Sequence, residues 1–358
     1  MCDTPYKAIN PGATRIPVQE SIGTILAHDV TEIRPWEFKG RAFKKGHIIR
    51  EEDVSHLRRL GKENLFVLNI AEDEMHEDDA AYILAKALLG EGVKIEGEPK
   101  EGKINIIAGR DGLLKINKDA LFEFNMLGDV MCATLHNNTL VQKGQSVGAT
   151  RAIPLIVRKN IVQTAVRIGE KAGNIIHVRE IRKPRVGIVI TGNEVYYGRI
   201  KDAFAPVITN KIDKVGGKIV GVYYAPDDES FIELRLRELI GVGADLLITT
   251  GGMSVDPDDV TRFAIRNLGV KDIAYGSAVL PGAMFLSAHM DIDGRPSIPI
   301  LGIPACGMYA KVTIFDLVLP RVLAGERIGR RELAELGHGG LCMNCGDCKY
   351  PACPFGKG

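Results

Sequence analysis

From residue 186 onward the chain repeats one pattern, and that pattern leaves few folds open. Short apolar runs at 186–190, 219–224, 246–249 and 298–301 alternate with stretches of helical length at 206–215, 230–240, 257–268 and 308–323. In the first of these stretches Val207, Ile208, Ile212 and Val215 recur on one face, and Gly216-Gly217 ends it. Ser230 and Glu233 stand at the spacing of a capping box. Strands separated by helices cross over and pair in parallel rather than as hairpins. The expected architecture is therefore α/β: a parallel or mixed sheet covered by helices on both faces.

The preceding half reads differently. Residues 1–70 predict a small α+β region, with a turn at Gly46, a helix from about Glu51 and a strand to follow. Residues 71–180 predict a second α+β domain rich in hairpins. It opens with an acidic helix start around His76 and carries two apolar runs either side of Asp111-Gly112, a hairpin signal. His76 is expected to be structural. "EIRKPR" then reads as a linker, 181–328 as the α/β domain, and 329–358 as a flexible tail entered through the glycines of "GHGG".

A chain of 358 residues has room for several cores. Hydrophobic residues at 45% and charged residues at 25% are ordinary for a globular protein, and a net charge of +1 offers no surface for nucleic acid or membrane. The first twenty residues lack the apolar core of a signal peptide, so the expected location is cytoplasmic.

In sheets of this kind ligands bind beyond the carboxyl ends of the strands. Three strand-to-helix connections are unusual: "ITGNEVYYG" (190–198), "TTGGMSVDPDD" (249–259) and "GIPACG" (302–307). Glycines let the backbone approach a ligand closely, and the helix starts after them offer free N–H groups to an anion. Carboxylates stand beside them: Glu194, Asp227, Asp228, Asp256 and Asp259. Asp256 before Pro257 reads as a helix cap. The others make sense beside a phosphate when a hard cation such as Mg²⁺ bridges the two.

At these residues the sequence resembles the molybdopterin-binding domain family of molybdenum-cofactor biosynthesis, over about residues 184–325. The resemblance rests on "TGNE", on "TTGGMSVDPDD" and on "YGSAVLPG". It implies that Gly251, Gly252 and Ser254 meet the phosphate end of the pterin, with Thr191, Gly192, Thr250 and Pro304 completing the cofactor-binding loops. It implies a catalytic set of Glu194, Asp228 and Asp259, serving the metal and the molybdate or nucleotide chemistry. In the molybdotransferase members, molybdate enters the dithiolene of adenylylated molybdopterin with Mg²⁺, and AMP is released. The long preceding region matches the layout of those members. The chain departs from the pattern where "KDAFAPVITN" keeps only Asp202 of an Asp-Ser-Asn, where "PACG" brings in Cys306, and where an Ala-Met-Asp-Gly-Tyr-Ala stretch is missing.

The expected ligands are molybdopterin or its adenylylated form and molybdate, with a molybdoenzyme or another cofactor-biosynthesis protein as partner and a homo-oligomer as the assembly. Two other functions stay open: a carrier or sensor of finished cofactor, and a pyrophosphatase of the competence/damage-inducible type acting on a nucleotide.

The tail carries Cys342, Cys345, Cys348 and Cys353 in "CMNCGDCKYPAC". Two successive two-residue gaps let three thiolates surround one centre, and the fourth closes it. That spacing favours iron–sulfur ligation, with structural zinc as the alternative.

Overall fold

The computed structural model describes residues 13–34, 38–68, 70–253, 256, 259–270, 272–292 and 294–358. They form two compact units, one of residues 1–136 and 141–178, the other of 137–140 and 179–358. No helix of the described residues is long and apolar enough to cross a membrane.

In the first unit, Ala13–Pro17 pairs with Asn64–Leu68, Val30–Arg34 pairs with Phe38–Phe43, and the helix Glu51–Arg59 packs Leu57 into the small core between them. Asp53 holds that helix start, accepting hydrogen bonds from the Arg50 N–H (2.9 Å) and from His47. A four-stranded antiparallel sheet follows, in the order Val93–Lys100, Lys103–Ala108, Ser146–Ala152, Val130–Thr134. The helices Glu77–Leu88 and Lys159–Lys171 share its core, through Leu84, Leu88, Val162 and Ala165.

The hairpin expected at Asp111-Gly112 does not form. Lys103–Ala108 pairs with Val93–Lys100, whereas Gly112–Ile116 joins a separate three-stranded sheet. The hairpin turn is one strand earlier, at Glu101-Gly102, where both residues have positive φ (53° and 68°). Two successive left-handed residues match the right-handed twist of the strands they join.

The second unit is built on a six-stranded mixed sheet. Its strands are β1 (Arg185–Thr191), β2 (Lys218–Ala225), β3 (Leu246–Thr250), β4 (Ile273–Tyr275), β5 (Leu286–Ile292) and β6 (Arg295–Ile303), in the order β2-β1-β3-β6-β5-β4. The first four in that order are parallel, and β5 and β4 close the sheet antiparallel. Alternation along β1 explains the layering. Val186, Ile188 and Ile190 pack with Phe204–Lys214 and Ile314–Leu323 on one face. Val189 packs with Glu229–Gly241 and Thr261–Asn267 on the other. The α/β sheet with helices on both faces, preceded in the chain by smaller β-rich sheets, is thus the architecture observed.

Two helix starts differ from expectation. The helix Glu229–Gly241 is capped by Asp228, whose Oδ1 accepts from the Phe231 N–H at 2.8 Å, and not by Ser230. Ser230 donates its own hydroxyl to that carboxylate at 2.6 Å. The helix expected from Pro257 runs over Thr261–Asn267, so Asp256 does not cap it. The tail, expected to be flexible, lies on the second unit: Leu333 and Leu336 from Arg330–Glu335 and its following turn, and Phe355 near the end, are buried in the same core as β1. The apolar spacing of this short helix is too brief to stand out beside the glycines around it.

Candidate functional site

Chain order runs from β1 outward to β2 and then back across to β3, so the strand order reverses between β1 and β3. A crevice opens at such a reversal because the connections leave the sheet on opposite faces. The ends of β1, β3 and β6 stand side by side there, with Ile190 paired to Thr250 and Thr250 to Ile303. The three glycine-bearing connections accordingly leave one edge from three neighbouring strands.

The first two connections are locked together. Thr191 is buried and donates its hydroxyl to the Thr250 carbonyl at 3.2 Å, while its Oγ1 lies 3.0 Å from that of Thr261. Thr261, opening the next helix, donates to the Gly251 carbonyl at 3.0 Å. Gly251 and Gly252 both sit in the left-handed region, at φ of 86° and 55°. A Cβ at Gly251 would lie 2.1 Å from the Thr191 carbonyl oxygen, and one at Gly252 would lie 2.5 Å from the Thr261 hydroxyl. Only glycine fits here, on both conformational and steric grounds. Behind the turn, the Thr249 and Thr250 hydroxyls are buried and have no hydrogen-bond partner among the described residues. Unpaired buried hydroxyls at a strand end are costly unless something else meets them.

A positive charge stands close by. The Arg262 guanidinium lies over the rings of Phe263 (4.9 Å) and Tyr275 (5.5 Å), and Tyr275 donates to the Met253 carbonyl at 2.6 Å. Met253, next in chain after the glycine pair, reaches the third connection: a Cβ on Gly302 would meet its methyl at 2.4 Å. Pro304 then leads into a short 3-10 turn, Ala305–Met308, that carries Cys306.

The carboxylates divide by what already holds them. Asp228 is engaged as a cap, and the Ser230 hydroxyl and Phe231 N–H hold its carboxyl below the usual range. Asp227 ties the first connection to the end of β2, accepting from the Asn193 N–H at 3.0 Å. Asp259 accepts from the Asp256 N–H at 2.9 Å, so Asp256 is its donor and not a cap. Glu194 lies in the short turn Asn193–Tyr196, exposed, and its carboxylate has no partner among the described residues. Among the described residues, no three His, Cys, Asp or Glu side chains are gathered closely enough to hold a metal ion.

The sequence-derived residues fall accordingly. Thr191, Gly192, Thr250, Gly251 and Gly252 are brought together at the β1/β3 reversal, with Pro304 one strand further on. Glu194 stands over the same edge, Asp228 and Asp259 are bonded to backbone N–H groups, and Ser254 lies outside the described residues. Thr261 and Arg262 were missed. Thr261 sits seventy residues from its partner Thr191, and no local signal joins the two.

A second polar cluster, in the first unit, was read from sequence only as a helix start. The Lys45 ammonium lies 2.8 Å from His76 Nδ1 and 2.7 Å from Asp78. Beside it Glu77 is buried, with Arg151 at 3.5 Å. Burial, reinforced by the Asp78 charge, pushes the Glu77 carboxyl up to about 7. Burial also pushes the Asp78 carboxyl up, but hydrogen bonds from Lys45 and the Gly102 N–H outweigh it and hold that group below its ordinary range.

Comparison with known proteins bears on the second unit. Residues 187–324 match a family described as "Probable molybdopterin binding domain", and residues 15–69 match one described only as a domain of unknown function. A CinA-like protein of Mycolicibacterium vanbaalenii is 34% identical over 95 residues, 26% of this chain and 22% of its own length. One of Mycobacterium avium is 39% identical over 89 residues, 24% of this chain and 20% of its own. The chain thus spans about a fifth of the length of these curated relatives. Among solved structures, the molybdopterin biosynthesis MoeA protein of Pyrococcus horikosii aligns with 91% of this chain and 76% of its own at 16% identity and a TM-score of 0.31. By sequence, then, it is residues 187–324 that resemble the family described as probable molybdopterin binding.

Proposed function

We propose that the protein binds molybdopterin, or its adenylylated form, at the β1/β3 edge, and with Mg²⁺ inserts molybdate into it. The observation that carries this is the Gly251-Gly252 turn, fixed in a left-handed conformation by Thr191 and Thr261 at the strand-order reversal. A turn of that kind presents backbone N–H groups to an anion without the cost of ordering a loop on binding. Arg262 supplies charge nearby.

The carboxylates fit a Mg²⁺ that arrives with a phosphate better than one held in a cage of the protein's own. Mg²⁺ keeps several waters and is commonly bound by one or two carboxylates together with substrate phosphates. Glu194, exposed and unengaged, is the side chain assigned to that cation, and Asp259 is the second. Bound there, the cation would neutralise charge on the phosphate and on molybdate. Asp228 serves the edge by positioning its helix. None of the tail cysteines is needed for this.

The test is to incubate the full chain with adenylylated molybdopterin and Mg²⁺, with and without molybdate, and to measure AMP. Release that depends on molybdate is the expected result. Tight binding without release would favour a carrier of the cofactor. The other enzymatic function that the sequence left open, a nucleotide pyrophosphatase, is separated from this one by an assay for hydrolysis of ADP-ribose.

A further inference from the structure

All four tail cysteines line a single cavity of about 510 Å³ in the second unit. The chain that brings them there is fastened at both ends. Before Cys342, residue 341 bridges to residue 280: the Leu280 N–H donates to the Gly340 carbonyl and the Cys342 N–H to the Leu280 carbonyl, each at 2.8 Å. After Cys353, Phe355 is buried and the Gly356 N–H donates to the Gly339 carbonyl at 2.9 Å. Gly356 approaches so closely that a Cβ there would meet the Leu317 side chain at 2.4 Å. The stretch between these anchors contains no helix or strand. The thiols are not gathered here, since among the described residues no three such side chains stand close enough to hold a metal ion, so ligation requires this stretch to draw them inward on either side of Tyr350, which packs against the core.

The cysteines are unequally exposed. Cys342 and Cys353 pack against the core, whereas Cys345 is exposed. All four are free thiols. The opposite wall is formed by Tyr309 to Val312, the chain leaving the third glycine-bearing connection, so the cavity is built by the folded unit and not by the tail alone. Lys311 on that wall offers a positive charge to a group that would be anionic once its thiols were ionised.

We propose that this cavity holds an iron–sulfur cluster ligated by Cys342, Cys345, Cys348 and Cys353. Each thiol gives its proton to solvent as it binds iron. The alternative ligand for four thiolates is one zinc ion, with each sulfur about 2.3 Å from the metal. The C-x2-C-x2-C spacing suits three ligands on one multi-atom inorganic core, whereas structural zinc tends to use two separated Cys pairs.

The test uses the full chain, purified without oxygen or reconstituted with ferric iron, a thiol reductant and sulfide, and assayed for iron, zinc and acid-labile sulfide. The expected result is iron and sulfide in near-equal molar amounts, with broad visible absorption that bleaches on reduction. Cys345→Ser removes an exposed side chain and should leave the melting temperature of the metal-free chain unchanged while most of the iron and sulfide is lost from the loaded protein. Cys306→Ser, whose side chain does not line the cavity, should keep both. Zinc without sulfide would overturn the assignment. So would failure to retain iron after reconstitution, or a Cys345→Ser protein with undiminished cluster content.

Discussion

The two units both place carboxylates at helix starts, and they treat them in opposite ways. In the first unit Glu77 and Asp78 open the helix Glu77–Leu88 from inside the protein, against Lys45, His76 and Arg151. Desolvation and mutual repulsion push one carboxyl up to about 7, while hydrogen bonds hold its neighbour down. In the second unit Asp228 and Asp259 sit at the sheet edge bonded to backbone N–H groups, and Glu194 stands in solvent without a partner. The first arrangement costs folding free energy and makes stability depend on pH. The second leaves a charged group available to a ligand. Acidic residues near a helix start are therefore no guide to a metal until their partners are known.

The sharpest way to break the comparison is to destroy the edge that the exposed carboxylate serves. Gly251→Ala places a Cβ 2.1 Å from the Thr191 carbonyl oxygen and forces an alanine to a φ of 86°. Left-handed backbone and forced displacement together should cost about 3 kcal/mol. Denaturant unfolding should show that loss in the second unit, along with loss of pterin binding. Retained affinity would mean the ligand sits elsewhere.

Next is Glu77→Gln in the first unit. Because Glu77 binds its proton more tightly when folded, the native state holds more protons than the unfolded chain between pH 4.5 and about 7. Stability from this group therefore falls as pH rises through that window, and the deficit is complete above it. Glutamine cannot ionise, so the variant should be more stable at pH 8 by about 2 kcal/mol, and little changed near pH 4. Asp78 runs the other way, its contribution lost as pH falls through its lowered value, so Asp78→Asn should weaken the protein at neutral pH. Melting curves across pH check both signs.

Smaller effects separate the carboxylates within the edge. Glu194→Gln should leave the melting temperature unchanged and lower Mg²⁺-dependent turnover about tenfold or more, because only charge at the cation is removed. Asp228→Ala should do the reverse, with a modest fall in melting temperature as the cap is lost and turnover largely kept. If the two variants exchanged behaviours, Asp228 would be the cation's ligand.

How much of this was legible in the sequence follows from the range of the forces involved. The parallel strands and their helices could be read because each buries a local apolar run, as in Val186, Ile188 and Ile190 along β1. The antiparallel strands β4 and β5 carry no comparable signal. Nor could the sequence separate Glu101-Gly102 from Asp111-Gly112 as the turn of a hairpin, since both pairs suit one and tertiary pairing decides. The glycine pair announced the edge, yet the residues that fix it, Thr191 and Thr261, meet only in the fold. Reading Ser230 as the cap was off by two residues, enough to hide that Asp228 was engaged.

The central claim is that the Gly251-Gly252 turn seats the pterin. It is tested most directly by loading full-length wild type and Gly251→Ala with molybdopterin, separating them from free ligand, and quantifying the pterin released and oxidised from each. Circular dichroism of the same samples shows whether each is folded. The predicted result is close to one pterin per folded wild-type chain and almost none on the variant. A folded wild type that carries no pterin, or a variant that carries as much as the wild type, would contradict it.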